Sequence, residues 1–315
     1  MKPARPLAAC LLLASTTVIC SAQPKPARPH ITGISHISVY DTSAAQAGHF
    51  YVDVIGCTKD DDPENSNGSR YYVNATQWVE VLPLPANAGA NRLDHIAFTT
   101  ANAEALRGYL AANGVQVPAQ VSTGSDGSSW FRITDPDGNH VEFLQGAPKA
   151  PAIQHAQYKP IGHHMIHVGF VVHDRAAEDH LYKDLLGFKP YWFGGMQPDK
   201  LDWVSQQVPN GTDWLEYMMV TPSATDGMAE LSQNQLGVMN HLSIGVVKMS
   251  AAVTALDPRI DHAFHVDKEA KVGKDGKWQF NLYDPDGTRV ELMEYGNVEK
   301  PCCSPFTAKN PSPAE

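Results

Sequence analysis

Four short, largely apolar stretches carry a strand pattern, and each holds a histidine near its start. They are SHISVY at His36, DHIAFTT at His95, IHVGFVV at His167 and NHLSIGVV at His241. Strand residues two apart share a face, so His36 lies with Ser38 and Tyr40. A helical pattern follows each stretch, in SAAQAGHFYVDVIG, NAEALRGYLAANG, RAAEDHLYKDLLGF and MSAAVTALDPR. The register repeats as well, since the fourteenth residue after each histidine is Phe50, Tyr109, Leu181 or Ala255. Further short strands come next, and the last in every copy holds a glutamate. These are Glu80 in WVEVL, Glu142 in HVEFL, Glu216 in WLEYM and Glu291 in RVELM. The histidine-to-glutamate separations are 44, 47, 49 and 50 residues. The chain therefore reads as four units of strand, helix and three strands, at 31–86, 91–147, 161–222 and 238–296.

A longer echo groups the units in pairs. DPDGNHVEFLQ (135–145) and DPDGTRVELME (284–294) lie 149 positions apart and close the second and fourth units. Pro and Gly suit the tight turn, and the strand after it delivers Glu142 or Glu291. The Ala- and Pro-rich stretch 148–160 separates two domains, 31–147 and 161–296.

Composition narrows the classes. The chain has 315 residues and a net charge of −10, with no basic stretch, which argues against nucleic acid as a partner. Residues 1–22 pair Lys2 and Arg5 with an apolar run and a small-residue step before Gln23. That is the pattern of a cleaved secretory signal, and it predicts a secreted or periplasmic protein with no membrane span. Cys10 and Cys20 fall in this leader, leaving Cys57, Cys302 and Cys303, too few for a disulfide framework. The Cys302-Cys303 pair reads as incidental, and 23–30 and 297–315 as disordered ends.

A buried glutamate costs several kcal/mol unless it is paired or bound to a cation. Eight histidines and glutamates at repeated positions point to a cation. If paired units curl into a cup, each domain offers two imidazoles and two carboxylates: His36, Glu80, His95 and Glu142, then His167, Glu216, His241 and Glu291. Two carboxylates neutralise a divalent ion, and mixed N and O donors suit a first-row metal rather than Ca²⁺ or Mg²⁺. Two residues after each histidine stands a small one, Ser38, Ala97, Gly169 or Ser243, which could leave room for a substrate. Trp214, two residues before Glu216, would line the same pocket.

The four His/Glu pairs, the helix ends FYVDVIG and LYKDLLGF and the two DPDG turns resemble the vicinal oxygen chelate superfamily. Its members include glyoxalases, bleomycin- and fosfomycin-resistance proteins, epimerases and extradiol ring-cleaving dioxygenases. The resemblance spans 31–296. It implies an α+β fold of four βαβββ modules forming two paired, cup-shaped mixed sheets. It also implies one or two divalent metals (Ni, Zn, Mn, Co or Fe(II)) on the eight residues above, and a small substrate with vicinal oxygens. Modules could pair within the chain or across a homodimer.

Within that family, ring-cleaving dioxygenases hold Fe(II) by two His and one Glu, which would be His167, His241 and Glu291. They place a tyrosine three residues before the turn, where this chain has Asn281, and a histidine late in the third unit that is missing between Ser205 and Val220. Glu216 would fill a position that a dioxygenase leaves open. These departures favour a glyoxalase- or epimerase-like lyase or isomerase, with Glu291 or Glu216 as the base. A metal-free binding protein is a third reading, against which eight intact ligand candidates argue. A structural relic in one half is a fourth.

Overall fold

The computed structural model describes Met1 and residues 26–146, 159–220, 231–261 and 263–313. The expected leader after Met1, nearly all of the linker 148–160 and His262 lie outside the described residues.

Each half builds one eight-stranded mixed sheet. The first holds β1 (Ile31–Asp41), β2 (Thr58–Asp61), β3 (Ser69–Tyr72) and β4 (Trp78–Pro83) of one unit. Its second unit supplies β5 (Leu93–Thr100), β6 (Ser122–Thr123), β7 (Ser129–Thr134) and β8 (His140–Gln145). The second sheet repeats the scheme with β9 (Met165–Val172), β10 (Lys189–Gly194), β11 (Trp203–Gln207) and β12 (Trp214–Met219). It is completed by β13 (His241–Val246), β14 (Lys271–Val272), β15 (Trp278–Tyr283) and β16 (Arg289–Glu294). Strand orders are β2-β3-β4-β1-β5-β8-β7-β6 and β10-β11-β12-β9-β13-β16-β15-β14. The opening strands of paired units run antiparallel at the centre, and each unit's last strand lies parallel beside its first. The architecture is the α+β arrangement of paired curled sheets expected from the sequence.

Two helix ends explain the FYVDVIG and LYKDLLGF echo. A short α-helix (Ala44–Gly48) widens into a π-helical segment, His49–Ile55, and Gly56 stops it at φ 88°. The third unit repeats this with Arg175–Asp179, then His180–Leu185, and a left-handed Gly187 at φ 75°. Apolar faces of both halves join in one core, where Phe98 meets Phe188 edge-on at 5.2 Å. A helix at Gln233–Met239, fastened by a capping box of Ser232 and Gln235, was not legible in the four-unit pattern.

The DPDG turns dock each half on the other. Asp284 accepts from the Tyr51 hydroxyl at 3.0 Å, and Asp135 from the Tyr182 hydroxyl at 3.4 Å. Asp286 accepts from the backbone N–H of Thr42, and Asp137 from that of His173 at 2.6 Å. The fourth unit's turn thus anchors the first unit's helix, and the second unit's turn anchors the third's. His164, which would pass for a loop residue, is buried and pairs with Asp213 at 2.6 Å.

The C-terminal segment departs from expectation. Read as disordered, it instead packs along β10, an edge strand whose open backbone groups need partners. The N–H of Thr307 donates to the Tyr191 carbonyl at 3.0 Å, and the N–H of Phe193 to Ser304 Oγ at 2.9 Å. Phe306 lies 4.9 Å from the Tyr191 ring. Cys302 and Cys303 form a disulfide within this strap and so are not incidental. Prolines that rule out a regular strand still allow an extended strap. At the other end, the His30 carbonyl accepts from the N–H of Ala101 at 2.9 Å, so the expected disorder of 23–30 does not hold there. No helix among the described residues is long and apolar enough to cross a membrane.

Candidate metal centre

Strand register assembles both sites. Ser38 faces Glu80 on one side and His95 on the other, while Ala97 faces His36 and Glu142. In the second half Gly169 lies between Glu216 and His241, and Ser243 between His167 and Glu291. Each cup thus has a Glu–small–His row beside a His–small–Glu row.

This corrects the reading of the small residues as substrate room. Strand pairing sets each of them between a His and a Glu position. A Cβ on Gly169 would meet His241 Cε1 at 2.2 Å, so only glycine lets that imidazole lie across the strand. Ser38 donates to Glu80, Ser243 Oγ is buried, and Ala97 is buried. Among the residues expected to line a pocket, Trp214 does so. Gly169→Ala should displace His241 and lower metal affinity at least ~10-fold, with overpacking costing about 1–3 kcal/mol of stability. Metal titration beside urea denaturation checks both effects.

In the second centre His167 Nε2 and His241 Nε2 stand 3.0 Å apart. The Met239 carbonyl lies 2.8 Å from His241 Nδ1 and can only accept, so Nδ1 carries the proton and Nε2 presents its lone pair inward. Glu291 Oε2 is 3.2 Å from His167 Nε2, and Glu216 Oε2 is 3.5 Å from His241 Nε2. The donor atoms of His167, Glu216 and His241 all fall within 4.8 Å of one another. Trp214 stacks on His167 at 4.7 Å. Burial drives the His241 pKa down to about 4, and the positive charge of Arg289 adds to that. Burial works to raise the Glu291 carboxyl, but the His167 hydrogen bond and Arg289 outweigh it and hold the carboxyl at about 2. Inward-facing imidazole nitrogens beside two carboxylates are a donor set that fits a divalent first-row ion. Glu216 and Glu291 also line a cavity of about 90 Å³, together with Tyr191, Trp203, Trp214 and Phe306.

The first centre has the same imidazole geometry, with His36 Nε2 and His95 Nε2 at 2.9 Å and His95 Nδ1 at 2.7 Å from Asp94. His36, Glu80 and His95 form a second group within 4.8 Å. Its carboxylates, however, are neighboured by arginines. Arg132, across the strands from Glu142, puts Nε 2.8 Å from that carboxylate and Nη2 3.4 Å from His95 Nε2. Glu142 stays 3.7–3.8 Å from both imidazoles. Arg70, across from Glu80, is fully buried over the Trp78 ring at 4.5 Å and pairs with Glu64 at 2.6 Å and Asp62 at 3.2 Å. In the second half the matching neighbours are neutral: Ser205 faces Glu216, and Asn281 faces Glu291 while donating to Asp267 at 2.8 Å. Burial, with Glu64 nearby, pushes the Glu142 carboxyl up to about 8, opposite to Glu291. Arg70 and Arg132 escaped the sequence reading. Aligning SWFRIT with WQFNLY on their following glutamates would have shown arginine replaced by asparagine.

Residues 33–143 match the model of the Glyoxalase/Bleomycin resistance protein/Dioxygenase superfamily. A search of curated proteins finds no match. Among solved structures, the Mn(II)-bound glyoxalase from Novosphingobium aromaticivorans is 19% identical, with 84% of this chain and 83% of that one covered at TM-score 0.62. The 2,3-dioxygenase LapB from Pseudomonas sp. KL28 is 16% identical over 92% and 96% of the two chains, at TM-score 0.66. An extradiol ring-cleaving dioxygenase from B. fuscum is 17% identical over 91% and 77%, at TM-score 0.62. At these identities the likeness to solved structures is one of fold. Residues 33–143 thus form a domain of the Glyoxalase/Bleomycin resistance protein/Dioxygenase superfamily, and the second half of the chain repeats its architecture.

Proposed function

We propose that the chain is a metal-dependent lyase or isomerase holding one divalent first-row ion on His167, His241, Glu291 and Glu216. One observation carries this reading. Two carboxylates that line a cavity, Glu216 and Glu291, lie within 3.5 Å of a pair of facing imidazole nitrogens, with neutral Ser205 and Asn281 opposite the glutamates. In the first half the guanidinium of Arg132 already supplies the positive charge, so that half serves as scaffold. A bound ion would polarise a substrate carbonyl and acidify the neighbouring C–H.

Glu216 is the better base. Glu291 is 3% exposed and tied to His167 at 3.2 Å, whereas the Glu216 side chain is 14% exposed, with His241 and Ser205 each at 3.5 Å. The looser carboxylate can take a proton from one substrate carbon and return it to the next. Incubating metal-loaded protein in D₂O with small 2-hydroxycarbonyl compounds should give metal-dependent C–H exchange by NMR. Glu216→Gln should lower the rate by about 10²–10⁴. Catechol-dependent O₂ uptake by the Fe(II) form, without exchange, would instead mean ring cleavage.

A further inference from the structure

Arg289 lies on the same face of β16 as Glu291, two residues away, and lines the cavity. It is half-buried, and its Nε is closed off from solvent with no hydrogen-bond partner among the described residues. Arg70, Arg132 and Arg107, by contrast, are each bonded to carboxylates. A guanidinium presents a planar fork suited to a carboxylate, and one that lines a cavity with no carboxylate bonded to it can offer that fork to a ligand.

The charge balance points the same way. A divalent ion with Glu216 and Glu291 is formally neutral, so the rest of the wall sets the sign. Lys274 joins Arg289 there, against a single further carboxylate, Asp275. Lys277 is fully buried behind the wall, its Nζ 4.6 Å from the Trp214 ring and 3.4 Å from the Tyr191 hydroxyl. With a divalent ion bound, the cavity's excess charge would therefore be positive. The cavity is small, about 90 Å³, which favours a compact ligand.

We propose that Arg289 determines specificity, pairing with a carboxylate of a small acid whose vicinal oxygens sit over the metal site. This rests on the metal-enzyme reading above. Malate and lactate test it, because both carry a 2-hydroxy-carboxylate pair and only malate adds a second carboxylate. Calorimetric titration of Mn(II)-loaded protein should show malate binding at least ~10-fold tighter than lactate. Arg289→Met should erase that difference, while Arg289→Lys should keep part of it. Equal affinities in the unaltered protein, failure of malate to bind, or a preference that survives in Arg289→Met overturns the proposal. Lactate binding that needs no metal, or persists in His167→Ala, would instead sink the metal reading beneath it.

Discussion

Asn281→Arg should strip the second centre of metal while leaving the fold intact. Asn281 faces Glu291 across the β15–β16 pair just as Arg132 faces Glu142 across β7–β8. In the first half that guanidinium takes the carboxylate at 2.8 Å and comes within 3.4 Å of an inward imidazole nitrogen. An arginine at 281 would compete for Glu291 and set a positive charge beside the incoming ion. A like charge at ~4 Å costs about 4 kcal/mol at an effective dielectric of 20, which is roughly 10³-fold in affinity. Metal content by elemental analysis should fall from about one per chain to below about 0.1. Circular dichroism should stay unchanged, because the cup face, not the core, receives the new side chain.

Metal removal should also destabilise the protein. An ion held at about 100 times its dissociation constant adds about 2.7 kcal/mol to stability. For domains of this size each kcal/mol moves the melting temperature by about 2–4 °C, so chelation should lower it by about 5–10 °C. The paired change His167→Ala with His241→Ala should abolish that response, and His36→Ala with His95→Ala should preserve it. A chelator-sensitive melt that follows His36 and His95 would place the ion in the wrong half.

Much of this was legible in the sequence because strand alternation fixes which side chains share a face. The four histidines and four glutamates, read from their spacing alone, do converge in pairs of strands. Spacing could not show cross-strand neighbours that belong to no motif, and so Arg70 and Arg132 passed unnoticed although they distinguish the halves. The small residues are visible in the sequence, but what they pack against is not. Gly169 is small because an imidazole from β13 lies over it, a fact that exists only once the antiparallel register is known. The C-terminal strap was misread because composition reports what a segment can bury, not the open strand edge that awaits it. The DPDG echo has a second use that the sequence did not reveal, since each turn both delivers a glutamate and docks the opposite half through Tyr51 or Tyr182.

The most direct test is the metal count per chain, measured on the unaltered protein and on the two histidine double variants after loading and dialysis. About one ion is expected in the unaltered protein and in His36→Ala with His95→Ala, and none in His167→Ala with His241→Ala. Two ions per unaltered chain, or one ion lost with His36 and His95 but kept without His167 and His241, would contradict a single centre in the second half.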